Sequence, residues 1–76
     1  MQYEYITKED LLATLSNNGE GVFEVSFTKK DGTERFIRGN LVEPIEGELK
    51  STVVLGTPQG FKSFSSDRVI SIEWVI

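Results

Sequence analysis

Neither cysteine nor histidine occurs among the 76 residues of this chain. Without cysteine there is no disulfide and no thiolate to hold a metal. The lack of histidine removes the usual general base at neutral pH and the commonest metal ligand. No apolar run approaches the roughly 20 residues that a membrane span needs. The first residues, Met1-Gln2-Tyr3-Glu4-Tyr5, lack the basic flank and apolar core of a signal peptide. These absences lead to the expectation of a soluble, cytoplasmic protein with no membrane contact. Basic residues are also scarce, 8 against 12 acids, for a net charge of −4. Phosphate neutralisation drives nonspecific nucleic-acid binding, so the acid excess opposes it for the surface as a whole and leaves room only for a local basic face. No acid pair adjoins a nucleophile–base arrangement, and no glycine loop is built to cradle phosphate. A non-enzymatic role is expected, with no catalytic residues, no metal and no cofactor.

What is present is a short helix followed by strand-like runs, in a chain long enough for one domain. Thr7 precedes Lys8 to Ser16 as an N-cap, with Glu9 and Asp10 in the first turn where the helix dipole favours acids. Leu11, Leu12 and Leu15 form one apolar stripe, and Asn17-Asn18-Gly19 supplies the stop. A helix this short needs something apolar to cover, such as one end of a barrel. Val22 to Thr28 alternates, with Phe23, Val25 and Phe27 on one face. Lys29-Lys30-Asp31-Gly32 is a hairpin turn, and Thr33 to Leu41 returns with Arg35, Ile37, Gly39 and Leu41 on one face and Phe36 on the other. Gly39, inside that strand, marks a bend. Glu43 to Lys50 carries Pro44, Gly47 and the acids Glu43, Glu46 and Glu48, and reads as a solvated connection.

Ser51 to Gly56 is apolar and β-branched enough to suggest a buried strand, and Thr57-Pro58-Gln59-Gly60 is a turn. Phe61 to Ser65 and Val69 to Ile76 complete the set. In the last strand the alternation places Ile70, Ile72, Trp74 and Ile76 together, opposite Val69. Strands are therefore expected near 22–28, 34–41, 51–56, 61–65 and 69–75, around a core of Phe23, Val25, Phe27, Ile37, Leu41, Val53, Leu55, Phe64, Ile70 and Ile72. Trp74 is expected in the core or at an interface. The uncharged third strand and the terminal Trp74-Val75-Ile76 are the candidate edges for a homodimer or small ring.

A helix at about 8–16 and five strands over about 22–76, the first two tightly joined, give a mainly β fold. Their order is similar to that of small five-stranded Sm-like and Src-homology-3-like barrels. Lys62-Ser63-Phe64-Ser65-Ser66-Asp67-Arg68-Val69 resembles the strand–corner–strand ending of the WYL domain of bacterial transcriptional regulators. Phe64, Asp67 and Arg68 match that pattern, Lys62 and Val69 are similar replacements, and Ser65 stands where the family carries an arginine implicated in ligand contact. Phe27-Thr28-Lys29-Lys30-Asp31-Gly32, with Arg35 after it, looks like the hairpin of short Sm-like proteins often encoded by bacteriophages. The resemblance implies a regulatory module that senses a ligand or nucleic acid, in the host cytoplasm if phage-encoded.

Two groups of candidate binding residues follow. The corner offers Lys62, Phe64, Asp67 and Arg68, whose guanidinium fork suits phosphate or carboxylate. Asp67 either orients Arg68 or bonds the turn amides. The hairpin offers Lys29, Lys30, Arg35 and Arg38 around Phe36, a pattern suited to single-stranded nucleic acid or to plain solvation. The partner is thus single-stranded nucleic acid, a small anionic ligand such as a nucleotide, or a protein, for instance a host protein bound by a phage factor.

Overall fold

The computed structural model describes residues 4–18, 20–43, 45 and 47–75. Met1 to Tyr3, Gly19, Pro44, Glu46 and Ile76, some of which carry readings above, lie outside the described residues. One helix, α1 (Lys8–Asn17), precedes five strands: β1 (Phe23–Thr28), β2 (Glu34–Leu41), β3 (Thr52–Thr57), β4 (Gly60–Ser65) and β5 (Val69–Trp74). All pair antiparallel in one sheet of order β4-β3-β2-β1-β5, which does not close on itself.

Local chemistry explains the element ends. Thr7 caps α1 by accepting the Asp10 amide at 3.1 Å. At the other end the Asn18 side chain donates to the Thr14 carbonyl at 2.9 Å, satisfying a carbonyl the helix leaves open. Between β1 and β2, Gly32 takes φ +85° and its N–H donates to the Lys29 carbonyl at 2.9 Å. Asp31 accepts the Thr33 amide at 2.9 Å, and this bond holds its carboxyl below the ordinary carboxylate pKa.

β2 is the hinge of the sheet. Its residues 34–39 pair with β1, and Asn40 and Leu41 pair with β3. At the change of partner, a Cβ on Gly39 would strike the Gly56 carbonyl oxygen, so this close crossing needs glycine. The resulting curl brings Phe27 of β1 to Phe64 of β4, with ring centroids 5.6 Å apart. Around that contact lie Leu11, Leu15, Phe23, Val25, Val53, Leu55 and Val69, all buried, with Ile37, Leu41 and Ile72 packed against them.

The structure departs from the sequence reading at four places. A bulge lies in the β1–β5 ladder, where Ser26 faces Ser71 but Phe27 faces Val69. The extra residue is Ile70, so Val69 takes the core place expected for Ile70. β3 is interior, between β4 and β2, so the free edges belong to β4 and β5. It is also buried on one face only, leaving Val54 exposed between Val53 and Leu55. Trp74 ends β5 opposite Phe23 but is half exposed, because the core stops short of it; of its two expected places, core or interface, the core is the one that fails.

Candidate functional site

The β4–β5 corner is pinned by backbone and serine bonds. Ser66, fully buried, donates its amide to the Ser51 carbonyl at 2.9 Å, and its hydroxyl reaches the same oxygen at 3.4 Å. Ser65 accepts the Asp67 amide on its hydroxyl at 3.3 Å and the Arg68 amide on its carbonyl at 3.1 Å. The two serines that depart from the WYL-type pattern are thus the residues that shape this turn. The Arg68 carbonyl accepts the Thr28 amide at 3.0 Å, which seats the corner against the base of the basic hairpin.

Asp67 takes neither partner that the sequence suggested. Its carboxylate meets the Lys8 ammonium at 3.0 Å, and among the described residues no ion pair joins it to Arg68. Lys8 opens α1, where the helix dipole disfavours a cation, and a nearby acid offsets that cost. This mismatch of a lysine with a helix N-terminus was the one available signal for a residue that sequence reasoning missed. Tyr5 joins the same neighbourhood, its hydroxyl sharing a hydrogen bond of 2.7 Å with the buried Thr28.

The remaining candidates scatter. Phe64 is a core side chain, 3% exposed. Lys62 is exposed and lies across from Leu55 of β3. Lys29 and Lys30 are exposed at the hairpin turn, and Arg35 is exposed opposite Phe27. Arg38 pairs with Glu24 at 3.7 Å across the β1–β2 ladder, which spends its charge locally. Phe36 is 60% exposed but lies across from the small polar Ser26, with Glu24 and Arg38 in the next rung. Backbone pairing therefore gathers Arg68 and Lys29 near Thr28, while Lys62 and Arg38 stand apart. Among the described residues no acids cluster in a way that could hold a metal ion.

A second surface has a different character. Phe61, 75% exposed, stands across from Gly56, and Val42 and Val54 are exposed nearby. With Ile45 and Leu49 of the β2–β3 connection they border a groove of about 350 Å³, whose polar rim includes Glu43, Glu48 and Lys50. The sequence reading put Val53 and Leu55 in the core and assigned Val54 no role. The signal was its alternation with Val53 and Leu55, which forces Val54 to the other face.

No family model, no curated protein and no solved structure matches this chain.

Proposed function

We propose that this chain is a non-enzymatic binding module on an Sm-like or Src-homology-3-like barrel, and that its ligand is another protein. The helix-then-five-strands order and the curl that joins Phe27 to Phe64 support the barrel assignment. The observation that carries the function is the groove beside Val42, Val54 and Phe61. Three large apolar side chains stand exposed around a concave surface, which is how small proteins present contact sites to partners. A net charge of −4 fits a protein partner better than a polyanion.

A second reading, capture of a phosphate-bearing ligand at the corner, is favoured by the placement of Arg68 beside Lys29 with Asp67 drawn away to Lys8. The likeness of Phe64, Asp67 and Arg68 to the WYL-type corner, and of the hairpin to short phage-encoded proteins, supports a regulatory setting for either ligand.

Affinity capture from bacterial lysate separates the two readings. Wild-type, Phe61→Asp and Arg68→Ala baits are compared with and without nuclease, and retained proteins are identified by mass spectrometry. The protein reading expects one defined protein that survives nuclease and Arg68→Ala but is lost with Phe61→Asp. Retention abolished by nuclease or by Arg68→Ala, and unchanged by Phe61→Asp, would overturn it.

A further inference from the structure

The sheet ends in β4, and its open edge lies beside the groove. Ser66 and Ser51 are hydrogen-bonded across β3 and β4, and antiparallel ladders alternate, so Phe64, Lys62 and Gly60 direct their backbone groups inward to β3. Phe61 and Ser63 then direct their N–H and C=O groups outward, where no strand of the sheet follows among the described residues. The opposite edge differs, because Ile6 donates its amide to Val69 at the start of β5 and partly covers it. On the outer face Ser63, a small residue, stands across from Val54, which lines the groove.

The geometry points to an extended partner segment that adds a strand to β4, leans an apolar side chain over Ser63 onto Val54 and Phe61, and carries lysine or arginine beside it. This rests on the protein-binding reading above and specifies the form of the partner. Strand addition draws affinity from main-chain bonds and specificity from pockets for alternate side chains, and β4 offers both. The basic character follows from complementarity: Glu43 and Glu48 lie on the groove rim against one lysine, Lys50, and the protein is acidic overall. The same charges oppose pairing with β5 of a second copy, which would bring Glu73 to the contact; pairing of β4 with β4 is the self-association that the test below includes.

The test uses short synthetic peptides and the full chain labelled for NMR. One peptide alternates lysine with leucine, a second replaces leucine by serine, and a third replaces lysine by glutamate. The lysine–leucine peptide is expected to shift the Val54, Phe61 and Ser63 signals and to slow amide exchange at Phe61 and Ser63. Phe61→Ala should weaken it about tenfold, the loss typical of an aromatic anchor. Val54→Thr, which keeps a β-branched side chain, should weaken it as well. Equal binding of the lysine–serine peptide, shifts centred on β5 or the corner, or self-association that buries Phe61 would each overturn the inference. If the peptide fails while Phe61→Asp still loses a protein from lysate, the strand inference falls and the broader reading stands; if both fail, both fall.

Discussion

The β4–β5 corner and the β2–β3 groove exchange roles between sequence and structure. The corner is dense in polar and charged residues, Ser65 to Arg68, and invites a functional reading. In the fold most of that chemistry is engaged: Ser66 bonds Ser51, Ser65 holds the turn, Asp67 meets Lys8 and the Arg68 backbone supports Thr28. The groove comes from an acidic connection that reads as solvated and an apolar strand that reads as buried or as a dimer edge, yet it leaves Val54 and Phe61 open to solvent. Polar residues in a small β fold are needed to satisfy its backbone at tight corners, so their presence is weak evidence of a site. Exposed bulky apolar residues serve no such need, and they are the more informative observation.

The comparison breaks first at Phe64, the corner residue assigned to packing. Phe64→Ala should cost about 3–5 kcal/mol, as deletions of buried aromatic rings do. A denaturant melt with an unshifted midpoint would return Phe64 to the list of ligand contacts. Next in size is Gly39→Ala, which should cost on the order of 1–3 kcal/mol because its methyl meets the Gly56 carbonyl at the sheet's bend. Thermal unfolding reads this directly, and a neutral result would mean that the two half-sheets cross less tightly. A smaller effect is expected from Asp67→Asn, under about 1 kcal/mol, since both partners of the Lys8 ion pair are more than half exposed.

The smallest effect concerns pH and sharpens the hairpin beside the corner. Asp31 has its pKa lowered by the Thr33 amide, so its folded-state value lies below the unfolded one. Its contribution is therefore present above the usual carboxylate value of 3.8 and is lost as pH falls through the lower folded value. Exchange of the Thr33 amide should speed up in that acid window, and Asp31→Asn should remove the carboxylate's part of the pH dependence.

Much of this architecture was legible because its causes are local. Thr7 before an acidic first turn and Asp31-Gly32 between alternating runs each act over a few residues, and each does in the fold what its chemistry implies; Gly39 marks the bend as expected, though the Gly56 carbonyl that requires it is distant in sequence. The start of β5 was not legible, since strict alternation has no place for a bulge at Ile70 and assigns Val69 to the wrong side, whereas Ile72 packs on the core as expected. The Lys8–Asp67 pair was only half announced: a lysine at a helix N-terminus calls for a nearby acid, but nothing local says that the acid is Asp67, far along the chain. Half of the edge assignment failed for a topological reason: β5 is an edge as expected, but an uncharged β3 reads as one until the order of strands places it inside.

The central claim, that the groove binds while the corner mainly holds the fold, is tested most directly by two fragments titrated into the labelled protein. Indole stands in for an aromatic anchor, and pyrophosphate for a phosphate-bearing ligand. The account predicts that indole shifts the methyl signals of Val42 and Val54, and that pyrophosphate leaves the Arg68 guanidinium signal in place. Saturable pyrophosphate shifts at Arg68 and Lys29, with no response to indole at Val42 and Val54, would contradict it.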